Sequence, residues 1–134
     1  MSLDVAERQR EGVIILELSG RITAGEEATK FRSEIERLAA GPEPRIILNM
    51  KGVAYIDSTG LGALVLCAKS VKNANGSVKL VHLNRRNMEL LVMTRIDTIF
   101  EVFDDETDAV NSFFPGRTAK RFDVLSFVKS LEEE

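Results

Sequence analysis

The alternation of strand-like and helix-like segments predicts an α/β domain, with a mixed sheet of four or five strands and helices packed mainly on one face. Three observations carry this. The aliphatic runs Val13 to Leu18, Arg45 to Met50 and Val78 to Leu83 read as strands. Longer segments with helical periodicity separate them, the βαβα order of a parallel-rich sheet. An extra extended segment, Val5 to Gln9, precedes the turn signal Glu11-Gly12 and can pair antiparallel with the first main strand.

Taking the elements in order, Val5 to Gln9 is expected as a short edge strand and Val13 to Leu18 as a strand ended by Ser19-Gly20. Thr23-Ala24-Gly25-Glu26-Glu27 looks like a helix start, with acids where the helix dipole favours them. Ala28, Phe31, Ile35 and Leu38 then form one apolar stripe until Gly41-Pro42 stops the helix. After the strand Arg45 to Met50, the apolar run Leu61 to Ala68 is ambiguous by periodicity alone. Its flanks decide for a helix: Asp57, Ser58 and Thr59 are all capable N-caps, and the run continues to Asn75-Gly76. Apolar residues on nearly all sides predict burial on more than one face. A helix from Asn87 to Arg95 with Leu90, Leu91 and Met93-Thr94 inward, a strand from Ile99 to Phe103 and a helix from Glu106 to Phe113 complete residues 1–114. Pro115-Gly116 marks a boundary. Residues 115–134 read as an extension, an amphipathic helix built on Phe122, Leu125, Val128 and Leu131, separable from the domain and ending in three glutamates.

Composition limits the function classes. The 134 residues suit one domain, and 44% hydrophobic with 29% charged residues is a globular mixture with enough apolar mass for a core. Trp is absent and aromatics are 6%, so that core must be aliphatic. A net charge of −3 argues against a direct nucleic-acid surface. The longest apolar run is too short to span a bilayer, and the start carries no signal-peptide pattern, so a cytoplasmic protein with no membrane contact is expected. One Cys (Cys67) and one His (His82) give neither a disulfide nor a metal constellation, and no cofactor is implied. His82 reads as a core or edge histidine, and Cys67 as an inert core thiol.

The chemistry concentrates in Asp57-Ser58-Thr59-Gly60-Leu61-Gly62. A hydroxyl at the mouth of a buried helix sits beside free amide N–H groups and the positive dipole end, which tolerate an anion. Gly60 and Gly62 keep bulk away, so another backbone can come close. The plain alternative is an ordinary N-cap. A hydrolase with Ser58 as nucleophile lacks a Gly-x-Ser-x-Gly bracket and needs His82 as base.

The string Tyr55-Ile56-Asp57-Ser58-Thr59-Gly60-Leu61-Gly62 resembles the signature of the STAS domain (sulfate transporter and anti-sigma factor antagonist). Leu18-Ser19-Gly20-Arg21-Ile22 and Asn75-Gly76 resemble its strand exit and its later turn, and the likeness spans roughly residues 5 to 113. The resemblance to stand-alone members implies a non-enzymatic anti-sigma factor antagonist of bacterial transcription regulation. In it, Ser58 is phosphorylated by a partner anti-sigma factor that is also a serine kinase. The unmodified form binds that partner, the phosphorylated form releases it, and a phosphatase resets it. The implied contact set is Arg21, Thr23, Asp57, Ser58, Thr59, Gly60 and Gly62, with a homodimer as an allowed assembly. Thr23 is a departure, because family antagonists often carry an acidic residue there. An unphosphorylated STAS scaffold or transport-accessory subunit is the competing implication.

Overall fold

A computed structural model describes residues 3–133. Five strands form one sheet in chain order: β1 (Leu3–Arg10), β2 (Val13–Ile22), β3 (Arg45–Ile56), β4 (Ser77–Val81) and β5 (Glu101–Phe103). β1 pairs antiparallel with β2, and the remaining neighbours are parallel. The helices are α1 (Glu26–Ala39), α2 (Ser58–Asn73), α3 (Arg85–Met93), α4 (Glu106–Asn111) and α5 (Val124–Glu132). This is the mixed five-stranded α/β architecture expected.

The two faces of the sheet follow the period-2 alternation of side chains. On one face, Leu16, Leu18, Ile46, Leu48, Val78 and Leu80 meet Phe31 and Ile35 of α1, Leu64 and Val71 of α2, Leu91 of α3, and Val124 and Val128 of α5. On the other, Val13, Ile15, Ile47, Val81 and Phe103 lie under Ala109 and Val110 of α4. Helices therefore load one face, and a single short helix caps part of the other. Charge pins that helix to the edge strand: Glu106 accepts from Arg10 at 3.2 Å and also from Arg8. These contacts hold its carboxyl below the usual range.

Several boundaries differ from expectation for local reasons. β2 and β3 run on to Ile22 and Ile56, because their pairing continues through irregularities between Glu17 and Ser19 and between Gly20 and Arg21. Bulges of this kind bend and twist a strand. β4 stops at Val81, because His82 turns into the left-handed region (φ 61°). α3 starts two residues early, with Asn84 as its N-cap accepting from Asn87 N–H at 2.7 Å. Its register then turns Leu91 inward and leaves Met93 78% exposed, against the inward placement expected. Leu66 of α2 is 48% exposed, so that helix buries a wide face rather than its whole girth. In the C-terminal segment Val124 and Val128 are the buried positions, whereas Leu125 is 41% exposed. These two valines belong to the main core. The expected glutamate terminus ends at Glu134, outside the described residues.

Phe31→Ala should cost about 3–5 kcal/mol, because the ring is fully buried between α1 and the sheet. Met93→Ala should stay within about 0.5 kcal/mol, as expected of an exposed site. Urea midpoints of the two variants check this, and equal costs would contradict the packing.

Candidate functional site

The site forms where β3 ends and α2 begins with one residue between them. Asp57 is extended (φ −94°, ψ −177°) and is the N-cap of α2. Its Oδ1 accepts from Gly60 N–H at 2.8 Å, which satisfies one of the donors a helix start leaves free. Its Oδ2 accepts from Ala24 N–H at 3.0 Å in the loop between β2 and α1. Asp57 N–H in turn donates to Ile22 O at 3.3 Å. One carboxylate thus stitches the two loops together. These bonds, that from Ala24 foremost and that from Gly60 next, hold its carboxyl below the ordinary value.

With Asp57 as the cap, Ser58 and Thr59 are relieved of capping and are both exposed on the first turn. Gly60 is buried directly against the β2–α1 loop. A Cβ there would collide with Ile22 O and stand 2.8 Å from Ile22 C. Gly62 is exposed, and a Cβ on it would meet nothing within 4 Å. The two glycines therefore do different jobs. Gly60 lets the molecule close on itself, and Gly62 leaves the outer surface low.

Arg21 and Thr23 are both half-buried in the adjoining strand exit and loop. Arg21 is the register partner of Tyr55 on β3, and Thr23 O accepts from Ala28 N–H at 2.9 Å at the start of α1. The fold thus brings Arg21, Thr23 and the Asp57-to-Gly62 segment to one end of the sheet. It also adds a group that the sequence reading missed. Asn84 Nδ2 and Asn87 Nδ2 both donate to Val53 O, at 3.1 and 3.0 Å, and Arg86 lies 4.6 Å from the centroid of the Tyr55 ring. α3 is thereby clamped to β3 just ahead of Ser58. The signal was present in Asn84-Arg85-Arg86-Asn87, a capping residue followed three positions on by a second amide.

Among the described residues no hydrogen bond links Ser58 to His82, the pair that a serine nucleophile would need. Cys67 is 3% exposed, and burial pushes its thiol up to about 12. Among the described residues no group of three or more His, Cys, Asp or Glu is placed to hold a metal, and no helix is long and apolar enough to cross a membrane.

A five-stranded mixed sheet whose third strand leads through an Asp57 cap into a helix with Ser58 exposed on its first turn defines the class of domain. The STAS domain family model matches residues 4–109, and the chain belongs to that family. It is 36% identical over 103 residues to the anti-sigma-B factor antagonist of Bacillus subtilis (strain 168), covering 76% of this chain and 92% of that protein. The crystal structure of an anti-sigma factor antagonist from Mycobacterium paratuberculosis superposes with a TM-score of 0.71 at 20% identity, covering 83% of this chain and 93% of the other. The phosphorylated form of the Bacillus cell fate determinant SpoIIAA gives a TM-score of 0.62 at 14% identity, covering 82% and 99%, a likeness of fold alone.

Two expectations follow. Gly60→Ala should destabilise the fold or displace the β2–α1 loop, since the added methyl meets backbone. Gly62→Ala should be neutral or stabilising by up to about 1 kcal/mol, because alanine is the better helix former. Thermal unfolding of both variants decides, and a stable Gly60→Ala chain with unshifted loop resonances would refute the close approach.

The second concerns pH. The folded-state value of Asp57 is depressed, so its contribution is present above the unfolded value and lost as pH falls through the folded one. Between pH 7 and about pH 3 the wild type should lose more stability than Asp57→Asn, which keeps a cap without the charge. Parallel urea–pH profiles would show the carboxylate to be irrelevant.

Proposed function

We propose that this chain is an anti-sigma factor antagonist, a cytoplasmic, non-enzymatic protein-binding switch. Unmodified, the surface around Ser58 takes hold of an anti-sigma factor and withdraws it from its sigma factor. That partner carries the serine kinase activity that modifies Ser58, the phosphate ends the contact, and a phosphatase restores it. The observation that carries the reading is the division of labour at the helix mouth. Asp57 does the capping, and Ser58 is left exposed with no structural duty. Membership of the STAS family and the 36% identical anti-sigma-B factor antagonist support it.

The energetics are adequate. A phosphoserine adds about −1.5 to −2 charges and three acceptor oxygens. At the first position of α2 the dipole offsets part of that charge, so the domain need not unfold. Asp57 one residue earlier is a like charge, which directs the phosphate outward, toward the partner. There it must be paired or desolvated, and every 1.4 kcal/mol of shortfall weakens binding about tenfold.

Thr23 is the observation that favours a second reading. A neutral residue in the β2–α1 loop beside Asp57 departs from the acidic pattern of many antagonists, as an unphosphorylated scaffold or transport-accessory subunit would allow. Intact-mass measurement after incubation with ATP and a candidate kinase partner separates the two. The switch requires one added phosphate on the wild type and none on Ser58→Ala, whereas a stable complex with no mass change supports the scaffold. In titration calorimetry Ser58→Ala should keep its affinity for the partner, and Ser58→Asp should lose at least about tenfold, or 1.4 kcal/mol. Equal affinities for wild type and both variants would remove Ser58 from the contact.

A further inference from the structure

Just beyond Asn111 the chain is held by Phe113 and Phe114, which pack against the Val81 and Phe103 cluster under Lys79 and Arg45, and further on Phe122 and Phe127 pack against the main core. Pro115 and Gly116 (φ 86°) turn the chain, and Arg117 reaches back to Glu11 at 3.1 Å. It then passes the outer edge of β5, where Phe122 N–H donates to Val102 O at 2.8 Å. Asp123 caps α5, accepting from Ser126 N–H at 3.0 Å and from Ser126 Oγ–H at 2.8 Å. Of the nine residues of α5, only Val124 and Val128 are buried. A helix of this length is not stable alone in water. Docking and folding of α5 are therefore one event, with two discrete outcomes.

What α5 docks against matters. α5 packs on α3, whose own nine residues bury only Asn87 and Leu91. The start of α3 holds the Asn84 and Asn87 bonds to Val53 O and the Arg86 stack on Tyr55. Tyr55 precedes Ser58 by three residues. A continuous line of packed and hydrogen-bonded groups thus runs from α5 through α3 to the serine turn.

We propose that α5 is a releasable brace: docked, it orders α3 and the Tyr55-to-Thr59 turn for partner binding, and its release lowers partner affinity without any phosphate on Ser58. Only the affinity clause rests on the reading of the Ser58 surface as the partner contact.

Hydrogen exchange on the full unphosphorylated chain without ATP, comparing wild type with Val128→Asp, tests this. Expected are at least tenfold faster exchange in α5 and α3 and at Gly60 and Leu61, unchanged protection in β2 and in β3 from Ile46 to Met50, and about tenfold weaker binding of the anti-sigma factor by calorimetry. Leu131→Ser, which leaves both buried valines in place, should shift the same amides in the same direction by less. Fast exchange in α5 with α3 still protected overturns the proposal, as does loss of protection in the strands together with α5 in both variants. Unchanged affinity despite a loosened α3 also overturns it. If wild type itself does not bind the partner, the Ser58 reading fails, while the exchange pattern still decides whether α5 orders α3.

Discussion

Strand β3 gives way to helix α2 across a single residue, and the geometry of the whole site follows from how Asp57 manages that change. A helix start leaves donors exposed, and a β2–α1 loop at the same end of the sheet leaves more. The Asp57 carboxylate answers one donor from each, Gly60 N–H and Ala24 N–H. Because those bonds are short-range and directional, α2 can be seated only where its first turn touches Ile22. That contact in turn permits no side chain at Gly60. Capping, loop closure and helix seating are one constraint met by two adjacent features, a carboxylate and a missing Cβ.

The same constraint explains why Ser58 is available. Serine is itself a good N-cap, and a serine used as a cap has its hydroxyl committed to the backbone. Moving the cap to Asp57 shifts Ser58 to the first helical position, where the side chain points outward and the backbone is already held. The electrostatics then pull in two directions. The dipole of α2 welcomes negative charge, and Asp57, held in its ionised form by two amides, repels it. An added anion is thus tolerated by the fold and kept away from it, the arrangement needed for a surface change that leaves the core alone.

Much of this was legible in the residues because each element carried its own marker. The α1 stripe Ala28, Phe31, Ile35, Leu38 is buried as its spacing demands. The flanks of Leu61 to Ala68 correctly outweighed its strand-like composition, since three cap-competent residues precede it and Asn-Gly follows. What was not legible depended on pairing. Ser19-Gly20 looks like a stop, yet β2 continues past it because β3 supplies partners through a bulge that no local pattern marks. Whether Asp57, Ser58 or Thr59 caps α2 turns on the position of Ala24, a residue 33 positions away. Met93 has the right character for a core position and the wrong phase, because the buried stripe of α3 runs through Asn87 and Leu91.

The unequal coverage of the two sheet faces bears on how a small domain of this kind can respond at one corner. On the loaded face α1 and α2 are long and bury four and six residues, so they move only with the core. α3 and α5 bury two each, so less apolar burial opposes their displacement. The serine turn stands between these two regimes. Its Asp57 and Gly60 are anchored to the rigid α1–α2 side, and Val53 and Tyr55 ahead of it are tied to the lightly held α3. A partner that grips both sides reads their relative position as well as the state of the serine hydroxyl.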